Sequence, residues 1–180
     1  SHASGVGDYL PTEYVRAMML VRANVLAKVC SGVRPEVLNL LIEMLNRGIH
    51  PCVPEIGSVG ASGDLIQLAH VALAMMGEGL VEYKGKILNA ADALRNENLN
   101  PIDLSYKEGL ALINGTSAMT GIAALVVHDL EILIKSSAVA AAMTIEGMMG
   151  FVDPFEEFIH TVRPHNGQIE IAKYIRRLLR

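Results

Sequence analysis

Gly57-Ser58-Val59-Gly60-Ala61-Ser62-Gly63-Asp64 is the most informative stretch of this 180-residue chain. It lies between a proline-marked segment, Pro51 to Pro54, and an apolar run that begins at Leu65. Its centre has a chemical option open to few tripeptides. With the backbone tightly folded, the amide nitrogen of Gly63 can attack the carbonyl carbon of Ala61. Ala and Gly resist that approach least, and Gly reaches φ values closed to other residues. Loss of water from the new ring and from the Ser62 side chain would leave a five-membered ring with an exocyclic methylidene group. The chain would then carry an electrophile made from itself. The alternative is a plain flexible loop that leads into a helix N-terminus, where an anion could sit.

The composition around this stretch favours helices. Hydrophobic residues make up 51% of the chain and aromatics 4%, with no Trp. Such an Ala/Leu/Ile/Val/Met core suits packed helices better than a β-sandwich, which draws on aromatic and β-branched residues. One segment, 1–180, is expected. The net charge is −4 and no Lys/Arg stripe forms, so nucleic-acid binding has no electrostatic footprint. Arg176, Arg177 and Arg180 read as the solvated face of a terminal helix. Cys30 and Cys52 form no C-x-x-C pair and read as buried free thiols in a reducing, cytoplasmic compartment. The start, Ser1-His2-Ala3-Ser4-Gly5, has neither a basic n-region nor an apolar h-region. It also lacks Met, which suggests a cleavage or fragment boundary. Ile122 to Met149 is long enough to cross a bilayer, but His128, Asp129, Glu131, Lys135 and Glu146 interrupt it. A charge at a bilayer centre costs roughly 2.5–3.5 kcal/mol on the permissive insertion scale, so no membrane is expected and the segment reads as a buried bundle helix.

Taken in order, Ser1 to Leu10 is Gly-rich and irregular. A helix opens at Pro11-Thr12-Glu13, with Val15, Met18, Met19, Arg22 (by its stem), Val25, Leu26 and Val29 at helical spacing, and ends at Ser31-Gly32. Pro35 starts a second helix, which ends at Asn46-Arg47-Gly48. Ile49 to Gly63 reads as loop. Asp64 suits the N-cap or first turn of a helix running to about Met76. Leu80 to Leu88 alternates around Lys84-Gly85, the pattern of a small β-hairpin. Short helices follow at Ala90–Arg95 and Ser105–Leu112. A long helix runs from about Ser117 to Met149, apolar nearly all round and therefore expected to be buried on most sides, with a weak point at Gly121. Arg163 to Gln168 reads as a turn whose Asn166-Gly167 takes left-handed positions, before a terminal helix from Ile169 to Arg180. The fold class is mainly α, a helical bundle core with one hairpin. The long helix needs more partners than the chain supplies, which implies a missing remainder, an oligomer, or both.

Several catalytic patterns are missing. A nucleophile elbow would need Gly where Asp64 stands. No phosphate loop or dinucleotide fingerprint occurs. Glu157-Phe-Ile-His160 has the Glu-x-x-His spacing of di-iron bundles but occurs once, so no metal is expected. His50, His70, His128 and His165 read as packing or loop histidines. His2 lies in an irregular Gly-rich stretch, where functional loops tend to sit. Asn114-Gly115-Thr116-Ser117 reads first as a helix start capped by Thr or Ser.

In combination these stretches resemble one family. Gly57 to Asp64, followed by Leu68-Ala69-His70, is similar to the signature of the aromatic amino acid ammonia-lyases and aminomutases. Leu112-Ile113-Asn114-Gly115-Thr116 resembles the second family motif at the matching separation. Ser1 to Gly7 resembles the upstream pocket segment. Arg163-Pro-His-Asn-Gly-Gln168 resembles its R-P-H-x-G-Q stretch, with Asn166 where Pro is common. The resemblance covers essentially the whole chain.

The resemblance implies a carbon–nitrogen lyase that eliminates ammonia from an aromatic L-amino acid to give an α,β-unsaturated acid. An aminomutase would re-add the ammonia at the β carbon. It implies that Ala61, Ser62 and Gly63 form the cofactor 4-methylidene-imidazol-5-one (MIO), which captures the substrate amine or, in an older proposal, attacks the ring. Helix N-termini would supply the electron sink, Asp64 and Asn114 each opening a helix. Asn114 is the implied hydrogen-bonding partner of cofactor or substrate, and His2 the contact to the substrate side chain. His2 suits a tyrosine hydroxyl or an imidazole, and Gly115 to Thr120 looks like tyrosine- and phenylalanine-type members, so tyrosine is favoured over histidine. Tyr9 and Tyr14 do not match the family's tyrosine base, which would precede Ser1. A second tyrosine and a carboxylate-binding arginine would follow Arg180. The implied partners are a small aromatic amino acid and other subunits of a homotetramer, or the rest of the same protein. The 180-residue chain alone is then expected to be inactive, and whether its MIO forms is left open by the resemblance. A rival keeps the fold without the chemistry, as a non-catalytic helical assembly module.

Overall fold

The computed structural model describes residues 2–61 and 64–179. Ser62 and Gly63, two of the three residues expected to form the ring, lie outside the described residues, as do Ser1 and Arg180. The chain divides into two compact units, Ser1–Leu125 and Val126–Arg180. The fold is mainly α, as the composition indicates, with short strands.

In the first unit, β1 (Val6–Tyr9) leads into α1 (Thr12–Leu26) and α2 (Pro35–Asn46). Pro11 precedes α1 with ψ near 140°, and Pro35 opens α2 where its missing N–H costs nothing. Two three-residue strands follow, β2 (Ile49–Pro51) and β3 (Pro54–Ile56), in a stretch expected to be loop. Local pattern could not reveal them, because each is defined by a distant partner. β3 pairs antiparallel with β1, Val6 opposite Ile56 and Tyr9 opposite Pro54. The start of the chain is therefore less irregular than its glycines suggest. β2 pairs with β4 (Leu80–Tyr83), placing His50 opposite Glu82. Pro51 is tolerated because β2 is an edge strand.

α3 (Leu65–Met75) comes between these pairs. The expected hairpin is present as β4 and β5 (Lys86–Asn89), in register Tyr83 to Lys86. Its turn residues Lys84 and Gly85 have φ of 50° and 74°, the two left-handed positions of a tight hairpin turn. Then come α4 (Ala90–Asn96), α5 (Glu108–Ile113) and α6 (Ser117–Gly147). The core of this unit is a layer of Met18, Met19, Leu41, Met44, Leu68, Met75, Leu94 and Leu112, all fully buried. Gly121 is not a weak point in α6. A Cβ there would lie 2.7 Å from the backbone N of Met18, so α1 and the first turns of α6 meet backbone to backbone.

The second unit holds the rest of α6, a 3-10 turn at Asp153–Phe155, α7 (Glu157–Thr161) and α8 (Asn166–Leu178). Asn166 and Gly167 form the first turn of α8, so the expected left-handed turn is absent; the helix starts three residues earlier than its apolar pattern shows. Arg176 departs from the expected solvated face. Its Nη1 donates to the carbonyl of Phe155 at 2.8 Å, and its Nη2 lies 3.5 Å from the Glu157 carboxylate. Arg177 is exposed.

Within this chain α6 is open on much of its surface, in line with the expectation that it needs more partners than the chain supplies. Leu133 is 61% exposed, and Val127, Leu130, Ile132, Ile134 and Met143 are exposed with it. By length and composition α6 could cross a membrane, yet only a minority of its residues are covered within the chain. The apolar pattern is that of a buried helix, but its covering surfaces are not among the described residues. Cys30 also differs from expectation: it is exposed in the link from α1 to α2, while Cys52 is buried.

Candidate functional site

The loop 57–61 leaves β3 and approaches α3 with its ends tied. Gly57 is required by close approach: a Cβ there would meet Ile66 at 3.1 Å and the Cα of Gly5 at 3.3 Å. Gly60 has a φ of 66°, so the chain reverses immediately before Ala61. The Ser58 hydroxyl donates to the Asp64 carboxylate, closing the loop across the tripeptide. The Gly60 N–H reaches Ser58 Oγ at 3.4 Å. Asp64 immediately precedes α3, as expected, but its side chain does not cap the helix. Its carboxylate is engaged by Ser58 instead. Ala61 is exposed, with no bulk imposed on it. These flanking residues fit the expectation of a tripeptide that would be compressed into a ring.

His2 faces a mainly apolar cavity of about 330 Å³ whose walls include Ala69, Leu73, Leu104, Leu110 and Ile113. The cavity lies between α3 and α5. His70, on α3, places its Nε2 3.2 Å from the carbonyl of Ser4, securing the same segment from the other side. Read as a packing histidine, His70 thus holds the segment that carries His2.

Asn114 does not open a helix. It is the C-cap of α5, its N–H donating to the carbonyl of Leu110 at 2.9 Å. Gly115, with a φ of 150°, breaks the helical path before α6 starts at Ser117. The main-chain N–H is used, while the Asn114 carboxamide has no hydrogen-bond partner among the described residues and is exposed. Ile113 lines the cavity and Asn114 directly follows it, so His2 and Asn114 are brought to one region. Ala61 is not among the lining residues.

The sequence reading missed the buried charge of Glu108 and placed Arg22 on the core face by its stem alone. Glu108, 1% exposed, accepts hydrogen bonds from Arg34 and from the N–H of Ser105, and Arg34 holds its carboxyl at about 2. Arg22, 2% exposed, sits on the core face of α1 beside Gly115. Its spacing of four from Met18 was the available signal: a charged residue in register with a buried face.

The chain belongs to the aromatic amino acid lyase family, whose model matches residues 1–180. It is 52% identical over 175 residues to the histidine ammonia-lyase of Alkaliphilus metalliredigens, covering 97% of this chain and 34% of that protein. It is 53% identical over 176 residues to the histidine ammonia-lyase of a Geobacillus species, covering 98% and 35%. The crystal structure of tyrosine aminomutase from Streptomyces globisporus superposes with a TM-score of 0.92 at 43% identity, covering 99% of this chain and 34% of that one. The chain thus spans about a third of the length of the curated relatives it matches. The preference for tyrosine is not supported by the curated relatives, which carry the name of the histidine enzyme.

Proposed function

We propose that this chain is the cofactor-bearing core segment of a histidine ammonia-lyase, in which L-histidine loses ammonia to give urocanate. The observation that carries this is the closed loop: the Ser58–Asp64 hydrogen bond and the reversal at Gly60 frame Ala61-Ser62-Gly63, in a chain whose curated relatives bear that enzyme's name. Histidine replaces tyrosine as the favoured substrate because those relatives are more similar in sequence than the tyrosine aminomutase structure. His2 accommodates either ring.

Ala61, Ser62 and Gly63 would form the MIO, which supplies an electrophile for the substrate amine. The chain's own residues do the rest of the binding. Ala69, Leu73 and Leu110 give the side-chain cavity apolar walls, and His2 offers it one hydrogen-bonding ring. The Asn114 carboxamide can donate to or accept from a substrate or cofactor polar atom. The N-terminus of α6 begins three residues on and adds partial positive charge where negative charge develops. The tyrosine base and the carboxylate-binding arginine belong to the remainder of the protein. The exposed apolar face of α6 is then covered by that remainder and by other subunits of a tetramer.

The test is made on the whole protein. Peptide mass across 57–64 should show a loss of about 36 Da, the two waters released on ring formation at a functional site of this kind. Ammonia and urocanate should be released from histidine faster than the corresponding acids from tyrosine or phenylalanine. A full unmodified mass and no turnover would support the non-catalytic assembly module instead. Formation of a β-amino acid would assign an aminomutase.

A further inference from the structure

We infer that Arg22 is a positioning residue of this site, acting on Asn114 through the corner between α5 and α6; this rests on the role proposed above for Asn114. Arg22 lies one helical turn beyond Met18, on the side of α1 that meets α6. Its Nη1 donates to the carbonyl of Ala111 at 3.3 Å. That carbonyl is in the last turn of α5, where backbone acceptors lose their helical partners. On the other side of Asn114, a Cβ at Gly115 would lie 2.7 Å from Nη2 and 3.2 Å from Nη1. The guanidinium thus occupies the space that any side chain at 115 would need. Asn114 therefore lies between one hydrogen bond from the guanidinium and one close approach of it to the chain.

The cost of this arrangement points to a role beyond packing. Nε and Nη2 have no hydrogen-bond partner among the described residues. Burial disfavours the charge and lowers the Arg22 pKa from its ordinary value. An apolar side chain of similar length would fill the same volume without stranded donors. What it would lack is a rigid, planar fork that meets both a helix-end carbonyl and a glycine backbone. Positive charge also suits the C-terminus of α5. The glycine at 115 completes the device, because only an absent Cβ lets the fork lie against the chain.

The experiment uses the whole protein and the variants R22M, R22K, N114A and R22M/N114A. Reactive geometry tolerates little displacement, so R22M should lower kcat about 10- to 100-fold. KM should change by no more than about threefold, since the side-chain cavity is untouched. R22K, which keeps charge but not the fork, should recover part of the rate. Dehydration of 61–63, read by peptide mass, should be unchanged in R22M, separating Arg22 from ring formation. In the N114A background, R22M should have no further effect, because the residue it positions is gone. If N114A is impaired and R22M multiplies that loss by its own full factor, the inference is overturned while the Asn114 role stands. If R22M leaves kcat unchanged, it is overturned outright. If N114A folds but neither R22M nor R22K does, Arg22 belongs to the framework alone and the inference is again overturned. An N114A enzyme with normal kinetics would refute the Asn114 role itself.

Discussion

Arg34 grips the carboxylate of Glu108 with its backbone N–H, its Nε and its Nη2, at 3.0, 2.9 and 2.8 Å. The Arg34 N–H belongs to the N-cap of α2, and Glu108 is the first residue of α5. The start of α5 is therefore fastened to α2, while Arg22 contacts its end. Asn114 inherits its position from both.

This clamp makes stability depend on acid. Glu108 and Glu97 are both held at about 2, Glu108 chiefly by Arg34 and Glu97 by the Tyr83 hydroxyl, Lys84 and Arg47. Their folded values lie below the ordinary 4.5. Their contribution is therefore present above that value and is lost as pH falls through it toward 2. Urea midpoints of the whole protein at pH 7, 4 and 2.5 should fall steeply below pH 4.5. E108Q should be less stable at pH 7 and show a shallower acid slope; an acid slope equal to the parent's would remove Glu108 from this account.

The loop bridge should control ring formation. A neutral hydrogen bond contributes about 1 kcal/mol net, more when one partner is charged, so removing Ser58–Asp64 should reduce the closed loop population about fivefold or more. S58A and D64A should lower the dehydrated fraction of peptide 57–64 measured by mass soon after synthesis. A fraction identical to the parent's at the earliest time would show that the bridge is dispensable.

Gly121 should tolerate nothing larger. Its missing Cβ accommodates the backbone of Ala17 and Met18, which cannot swing aside as a side chain can. Overpacking typically costs about 1–3 kcal/mol, so G121A should lower thermal stability by that amount and G121L should prevent folding. A melting temperature for G121A equal to the parent's would contradict the close approach of α1 and α6.

His2 should affect binding of the substrate ring. Losing one hydrogen bond to a buried polar ring costs about 1–3 kcal/mol, roughly 5- to 150-fold in affinity. H2L should raise KM for histidine within that range and improve the relative use of phenylalanine. Equal KM values for H2L and the parent would place His2 outside the substrate site.

The apolar face of α6 should serve assembly. Leu133 and Ile134 are exposed here. A charge buried without a partner costs about 3–5 kcal/mol, so L133E should dissociate the assembly or abolish it. Light scattering on the whole protein gives the mass directly, and an assembly mass equal to the parent's would free this face of that role.

Local sequence chemistry determined a good deal. Pro35 set the start of α2, Lys84-Gly85 set the hairpin, and Gly57 to Asp64 marked the loop that carries the proposed chemistry. Each of these depends on φ preferences or on residues adjacent in the chain, so no distant partner was needed. The short strands Ile49–Pro51 and Pro54–Ile56 could not be recognised in this way, because their existence depends on pairing with Leu80–Tyr83 and Val6–Tyr9.

The tertiary structure alone decided how the side chains are used. Asp64 looked like a helix cap, but Ser58 takes its carboxylate. Asn114 looked like the start of a helix, but Gly115 makes it the end of one. Arg22 looked like an apolar stem on a core face, but its charged end is buried against the Asn114–Gly115 corner. The long apolar helix looked buried, but much of its surface is open within this chain. The physical reason is common to all four. Periodicity reports which face a residue lies on, whereas hydrogen-bond partners and covering surfaces come from segments distant in sequence. For α6, those surfaces belong to the assembly proposed above.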